Sequence, residues 1–238
     1  LCVAFTPDEE TGTGAAHFDI DKFGADFAYT LDGDTENEIQ YENFNACSAS
    51  IEFHGVSVHP GSSKDTMVNA SLVAMEFDSM LPKGETPRDT EGYEDFIICW
   101  VWKANVHLQL HYIIRDHDAE KFEQRKKVMK QITDDLNQKW GDGTVMLTLK
   151  DQYRNMSEII AQHMHLIDNA KKACETVGLT PQCLPIRGGT DGCQLSFRGL
   201  PCPNLGTGGH AYHGPYEHIT VEGMEKAVDM ITEFGENI

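Results

Sequence analysis

Positive charge is scarce in this sequence. Its 238 residues include 19 Lys and Arg against 38 Asp and Glu, which gives a formal net charge of −19. Nucleic-acid binding depends on clustered basic side chains that contact phosphates, so this imbalance argues against a nucleic-acid partner. Long hydrophobic runs are also missing, since no stretch reaches the roughly 18 apolar residues of a membrane-spanning helix. We therefore expect neither nucleic-acid nor membrane binding.

The cysteines do not form a recognisable framework. There are seven of them, scattered along the chain without a Cys-x-x-Cys pair. An odd, dispersed set is typical of reduced thiols, and we predict a cytoplasmic protein. The chain has no signal peptide and opens without Met on an apolar run, Leu1–Phe5, which predicts a buried strand. This opening suggests a piece of a longer protein.

The middle of the chain predicts six elements in the order β-α-β-β-α-β. Polar and apolar residues alternate in the predicted strands, and Asp118 is placed to cap the second helix. The predicted strands cover residues 48–55, 96–102, 105–115 and 144–149. This order is typical of a ferredoxin-like α+β domain, which we assign to residues 44–154. Residues 1–43 and 155–238 carry α/β signals and are predicted to form the domain that it interrupts.

Helical spacing of apolar residues predicts which helix faces are buried. Another helix is predicted over residues 158–177, ending before Gly178. The buried faces are predicted to contain Val68, Leu72, Met75 and Phe77 in the first helix, and Val221, Met224, Val228 and Ile231 in the last.

An acidic turn near the start is the most informative stretch. The sequence TPDEETGTGA covers residues 6–15 and places Glu9 beside Glu10. Neighbouring carboxylates repel each other unless they share a cation or a proton. A bare Glu-Glu pair is more often a solvated turn, so the flanking residues have to decide between these interpretations. Pro7 and the two glycines favour a turn that presents polar groups at the edge of a sheet.

Two further stretches contain candidate ligands. Residues 27–31 predict a strand that ends in Asp32-Gly33, which is alternatively a hairpin turn. Asp34 is the nearest competitor of Asp32. Towards the end of the chain, a loop contains three histidines, and imidazoles at such spacing suit zinc, although loop histidines are more often solvated. They are His210, His213 and His218.

Together these motifs resemble those of the M20 zinc peptidases, and most closely the tripeptide aminopeptidases among them. The resemblance rests on TPDEE, AYTLDG (28–33), ENFNA (42–46), PIRGGTDG (185–192) and GGHAYHG (208–214). It implies an α/β catalytic domain, a mixed sheet flanked by helices, with an inserted ferredoxin-like lid or dimerisation domain, and a homodimer. It also implies release of the N-terminal residue of tripeptides. The sequence departs from the family pattern at Ala211, where Asn is usual.

The resemblance assigns roles to individual residues. Glu9 is implied as the general base, and the ligands of a two-zinc site are implied to include Glu10, Asp32 and His213. His59 matches the lid histidine that polarises the scissile carbonyl of a neighbouring subunit. Candidate substrate contacts are Asn69, Arg115 and Arg187. The alternatives are a surface histidine for His59 and structural salt bridges for the arginines; Asp116 and Asp118 lie close to Arg115.

Two family segments are absent from this sequence. They are the His-x-Asp-Thr and Gly-Asp-Asp segments, which supply the remaining zinc ligands in the family, including the one that bridges the metals. Two cations placed side by side need a bridge to offset their repulsion. We therefore expect weak zinc binding and impaired catalysis from this chain. Two alternatives stay open: another M20 amidohydrolase or dipeptidase, and an inactive dimerising piece.

Overall fold

The computed structural model describes residues 1–104 and 107–237 and divides the chain into two compact units. The flanking unit contains Leu1–Phe44 and Tyr153–Ile238, and the inserted unit contains Asn45–Gln152. The sequence-based division placed residues 44–154 in the inserted domain.

The elements follow one another along the chain as follows. The flanking unit begins with 3₁₀ turns at Glu9–Thr11 and Gly14–His17, helix α1 (Ile20–Phe23) and strands β1 (Thr30–Gly33) and β2 (Glu38–Gln40). The inserted unit contains β3 (Asn45–His54), α2 (Ala70–Met80), β4 (Phe96–Ala104), β5 (His107–Asp116), α3 (Ala119–Trp140) and β6 (Val145–Tyr153). The flanking unit resumes with α4 (Ser157–Ile160), α5 (His165–Thr176), β7 (Gln182–Cys183), α6 (Asp191–Phe197), β8 (Asn204–Gly206), β9 (Gly209–His210), β10 (His218–Ile219) and α7 (Val221–Asn237).

The inserted unit confirms the predicted β-α-β-β-α-β order. Its sheet has the strand order β4-β5-β3-β6, and β5 runs antiparallel to both β3 and β4. Leu108, Leu110 and Tyr112 alternate along β5 and are buried, as the pattern predicted, while residues 105 and 106 lie outside the described residues. Asp118 caps α3 as predicted, because its side chain accepts hydrogen bonds from the amides of the first turn.

The predicted buried faces of two helices were only partly correct, since Phe77 is buried as predicted but most of the other residues are not. In α2 the buried residues are Val73, Ala74 and Phe77, whereas Leu72 and Met75 are 61% and 57% exposed. Val68 precedes the helix and pairs with Val56 in an isolated bridge.

Helix α7 buries Ala227, Met230 and Phe234, whereas Val228 is 60% exposed. Of the other residues predicted on its buried face, Val221 and Met224 are exposed and Ile231 is half-buried. The reason is that each helix contains two overlapping apolar stripes. Periodicity predicts that such a helix is amphipathic, but only packing selects the stripe that meets the core.

Two other expectations also need correction. Leu1–Phe5 forms no strand, and Leu1 and Phe5 are 93% and 94% exposed. In the described part of the chain no strand pairs with this run, and a strand requires such a neighbour. The predicted helix over residues 158–177 is divided into α4 and α5, and nothing in the local sequence explains the break. Its end is as predicted, because Gly178 adopts a left-handed conformation, φ 82°.

A mixed sheet organises the flanking unit, in the strand order β1-β8-β2-β7. Strand β1 runs parallel to β8, so the carboxyl ends of both strands meet at one edge of the sheet. Asp32 and Gly33 belong to β1 and do not form a hairpin turn, which rules out that alternative. The sheet therefore brings Asp32 near the loop that follows β8, which carries the three histidines. Across the described residues, no helix combines the length and apolar character needed to cross a membrane.

Candidate functional site

The acidic turn is closed by its own backbone. Asp8 adopts a left-handed conformation, φ 62°, and its carbonyl accepts hydrogen bonds from the amides of Thr11 (3.3 Å) and Thr13 (3.2 Å). The amide of Gly12, at φ 73°, donates to the carbonyl of Glu9 at 2.7 Å. These bonds fold Glu9–Thr11 into a 3₁₀ turn, which fixes the backbone that carries both glutamates.

The histidine loop is fastened to the end of β1. The Tyr212 hydroxyl donates to the Gly33 carbonyl at 3.0 Å, and the Thr207 amide donates to the same carbonyl at 3.2 Å. The amide of His213 donates to the Glu217 carboxylate at 2.8 Å. Because Gly33 follows Asp32 directly, these bonds hold His213 at the same sheet edge as Asp32.

The two segments meet through a carboxylate and an imidazole. Nε2 of His213 lies 3.1 Å from Oε2 of Glu10, and both side chains remain largely exposed. The other two histidines face each other across β9 and β10: the rings of His210 and His218 have centroids 5.3 Å apart. Thus His213 is the loop histidine that meets the acidic turn.

Negative charge accumulates around this contact. Partial burial, followed by the nearby charges of Asp32, Asp191 and Glu10, raises the pKa of Glu9 from 4.5 to about 7, against an opposing effect of His213. Asp32 reaches solvent, but neighbouring atoms displace much of its water. This desolvation, with the charges of Glu10 and Asp191, raises the pKa of Asp32. The site therefore favours a proton or a cation.

The donor chemistry can be compared with that of a zinc site. Two donors bound to one tetrahedral zinc lie about 3.3 Å apart, given zinc–ligand bonds of about 2.0–2.1 Å. The separation of 3.1 Å between Glu10 and His213 fits two such positions. However, within residues 1–104 and 107–237 no three His, Cys, Asp or Glu side chains are grouped to hold an ion. The described residues thus provide a ligand pair, with Asp32 nearby, and not a complete site.

Asp191 received no predicted role, and the structure places it against the acidic turn. Its side chain is buried and accepts hydrogen bonds from the Thr6 hydroxyl and the Ala15 amide. A sequence signal for it is the Thr-Asp pair in the stretch 185–192, since adjacent glycines beside such a pair are typical of a tight loop. Which segment this loop contacts was not readable from local sequence.

Among the predicted substrate residues, only Arg187 belongs to the flanking unit. It is half-buried, and its guanidinium lies 5.4 Å from the centroid of the buried Phe44 ring. This contact orients the side chain by a cation–π interaction.

The inserted unit contains the other three predicted substrate residues. His59 is exposed, and its Nδ1 accepts a hydrogen bond from the Gly61 amide at 3.1 Å, which leaves the proton of the neutral ring on Nε2. Asn69 caps α2 by accepting from the Ser71 amide at 3.0 Å, so the structure gives it a local role. Arg115 lies on β5, where it is half-buried.

The suspected partners of Arg115 have other contacts. The Asp116 carboxylate is bound by Arg125, and the Asp118 side chain is engaged at the start of α3.

Comparison with known proteins finds one matching domain and several relatives of this chain. The profile of the M20 peptidase dimerisation domain matches residues 41–144. Peptidase T of Clostridium novyi is 54% identical over 230 residues, which cover 96% of this chain and 56% of that protein. Peptidase T of Halothermothrix orenii is 55% identical over 230 residues, with the same coverage. The chain thus spans a little more than half the length of these curated relatives.

Solved structures share the fold. The crystal structure of aminopeptidase PepT from Bacillus cereus has a TM-score of 0.81 and 23% identity, and covers 96% of this chain and 61% of that one. A tripeptidase from Staphylococcus aureus has a TM-score of 0.84 and 20% identity, with the same coverage. By these similarities residues 41–144 match the M20 peptidase dimerisation domain, and the chain is homologous to peptidase T over a little more than half of that protein's length.

Proposed function

We propose that this chain is part of a metal-dependent aminopeptidase that releases the N-terminal residue of tripeptides. The observation that carries the proposal is the half-buried Glu9, whose pKa is raised to about 7, next to the pair formed by Glu10 and His213. The identity of 54% with a peptidase T supports the substrate class.

Glu9 is proposed as the general base. A carboxyl with a pKa near 7 can both accept and release a proton at neutral pH, which is the property that general acid–base catalysis requires. Glu10 is turned towards His213, whereas Glu9 is half-buried and lies within the influence of the charges of Asp32 and Asp191. Glu9 would take a proton from the attacking water and pass it to the leaving amine.

Glu10, Asp32 and His213 are proposed to hold zinc. A divalent cation there supplies a Lewis acid and neutralises carboxylates that otherwise repel one another. The resemblance to the family places two further ligands in segments that this sequence lacks. The proposal therefore predicts weak zinc binding by the 238-residue chain and tighter binding once it is extended to the full length of its relatives.

Four residues are proposed to contact the peptide. The Nε2–H of His59 is available as a donor to a scissile carbonyl, since Nδ1 is already engaged. Because residues 41–144 match a dimerisation domain, we propose a homodimer in which His59 serves the neighbouring subunit. Arg115 and Arg187 are proposed to bind the peptide carboxylate, a group that guanidinium matches in geometry, and Asn69 is a weaker candidate for a polar contact.

The test is a hydrolysis assay with a matched variant. Tripeptides, dipeptides and acyl-amino acids are offered to the full-length extended protein with zinc, and N-terminal residues released are quantified. We expect turnover of tripeptides, abolished by Glu9→Gln with zinc content nearly unchanged. Parallel loss of zinc and activity would show that the two glutamates are misassigned. Preference for dipeptides or acyl-amino acids would favour another M20 amidohydrolase.

Subunit exchange tests the role of His59. Inactive Glu9→Ala and His59→Ala dimers are mixed, and activity should partly return where one intact site receives an intact His59. No recovery after verified exchange would confine His59 to its own chain.

An inactive dimerising unit is the second candidate, and the incomplete ligand group among the described residues favours it. It predicts a dimer of the 238-residue chain, without zinc-dependent turnover even after extension. Zinc analysis and light scattering, carried out on the 238-residue chain and on the extended protein, distinguish the two candidate functions.

A further inference from the structure

Helix α6 contacts the acidic turn with one face. Asp191, Gln194 and Arg198 are spaced at i, i+3 and i+7, so their side chains project from the same side of the helix. Gln194 donates to the Gly12 carbonyl at 3.1 Å. Arg198, directly after the helix, donates to the carbonyls of Ala15 and Phe18. The contacts of Gln194 and Arg198 thus reach main-chain atoms of the turn and its continuation.

Asp191 makes the most buried of these contacts. Asp191 is 4% exposed, and both oxygens of its carboxylate accept hydrogen bonds. The Thr6 hydroxyl donates to Oδ2 at 2.7 Å, and the Ala15 amide donates to Oδ1 at 2.8 Å. Thr6 and Ala15 stand on either side of Glu9 and Glu10, so one carboxylate holds both ends of the segment.

Gly14 shows how close this approach is. A Cβ atom added at Gly14 would lie 2.4 and 2.7 Å from the two oxygens of Asp191, so any larger residue there would force the Asp191 side chain or the turn to shift. Because Gly14 is not at a positive φ, its requirement here is one of space alone. Residues 7, 8 and 10–13 of the turn are exposed, whereas Gly14 and Ala15 are buried. Asp191 therefore lies where the exposed turn meets the core.

From this geometry we propose that Asp191 is a positioning residue, which holds both ends of the acidic turn so that Glu10 faces His213 and Glu9 stays beside them. The proposal rests on the proposed function for its catalytic meaning. The claim that Asp191 holds the turn is independent of that function, because the hydrogen bonds from Thr6 and Ala15 can be measured without any turnover.

The test compares Asp191→Ala with Asp191→Asn. Asn retains an oxygen for the Ala15 amide and can donate to the Thr6 hydroxyl, so it keeps the geometry while removing the charge. Hydrogen exchange of the Ala15 amide should accelerate by about 10–100-fold in Asp191→Ala, the range expected for a lost bond to a charged acceptor, and by much less in Asp191→Asn. The ring resonances of His213 should shift in Asp191→Ala and remain near their wild-type positions in Asp191→Asn. Unchanged exchange in Asp191→Ala, or equal damage in both variants, would overturn the proposal.

A second pair of variants, at Thr6, tests the same proposal if Asp191→Ala fails to fold. Thr6→Val removes one bond with little change of shape, and Thr6→Ser restores the hydroxyl. Thr6→Val should move the His213 resonances and Thr6→Ser should not; identical spectra for both would overturn the proposal. In the extended protein, Asp191→Ala should lower kcat more than it raises KM, with recovery in Asp191→Asn. An inactive wild type with the expected exchange pattern would refute the proposed function and leave the positioning role standing.

Discussion

The titration of Glu9 gives a sharp prediction. Its pKa is raised from 4.5 to about 7, so between these values the native state holds a proton that the unfolded chain has released. Stability should therefore fall as the pH rises from about 5 to 8, and the loss should be complete above the folded pKa. Each pKa unit corresponds to about 1.4 kcal/mol, but Glu9 is only partly buried, and solvent screening reduces the effect to on the order of 1–2 kcal/mol.

Two measurements check this prediction. A carbon-detected NMR titration of the Glu9 carboxyl should give a midpoint near 7. Urea unfolding of the flanking unit should show wild type losing stability relative to Glu9→Gln across the same pH range. The same substitution at the exposed Glu225 on α7 serves as the control and should leave the pH dependence of the wild type intact.

Neighbouring substitutions should move the midpoint in opposite directions. Asp32→Asn removes a negative charge that favours the protonated form, so it should lower the pKa of Glu9. His213→Gln removes the group that opposes the shift, so it should raise the pKa. Three results would refute the electrostatic reasoning. They are a Glu9 midpoint near 4.5, the same pH dependence of stability in wild type and Glu9→Gln, and shifts of the Glu9 pKa of the same sign in Asp32→Asn and His213→Gln.

Three further substitutions are predicted to change stability, each measured by urea unfolding. Ala211 is exposed at φ 58°, so Ala211→Gly should stabilise the flanking unit by about 1 kcal/mol, whereas a larger β-branched residue there should destabilise it. Arg125→Met leaves the fully buried Asp116 carboxylate without its 2.7 Å partner and should cost about 3–5 kcal/mol, against almost nothing for Arg88→Met, whose side chain is 93% exposed. Asn69→Ala removes a helix cap and should cost about 1 kcal/mol, which Asn69→Asp should restore; a loss of peptide affinity that persists in the Asp variant would instead support a substrate contact.

Local sequence was sufficient for the element order of the inserted unit and for its strand β5, though not for the buried face of α2. The alternation in β5 predicted the buried positions Leu108, Leu110 and Tyr112, because successive side chains of a strand point to opposite faces. The cap of α3 was equally predictable, since Asp118 bonds to amides only two and three residues away. Such features depend on neighbours in sequence, which is why a pattern reveals them.

Predictions from sequence failed where one pattern of apolar residues was compatible with two different structures. The apolar stripe of α7 that contains Val228 and the stripe that contains Met230 are both plausible core faces, and only contact with α5 and the sheet decides between them. The run Leu1–Phe5 has the composition of a buried strand, but it finds no pairing strand among the described residues. The composition of a segment predicts which secondary structures it can adopt, and the segments that pack against it determine which one it adopts.

The chemistry of the site divides in the same way. The sequence by itself determined which residues are present, namely Glu9 and Glu10 in a glycine-bracketed turn and His213 in a histidine loop. Only the tertiary structure decided that Glu10 lies 3.1 Å from His213, and that Asp191 bonds to residues 185 and 176 positions away in the chain. The physical reason is that these contacts, and the raised pKa of Glu9 that accompanies them, exist only when β1, β8 and α6 have packed together and brought distant charges into a partly dehydrated space.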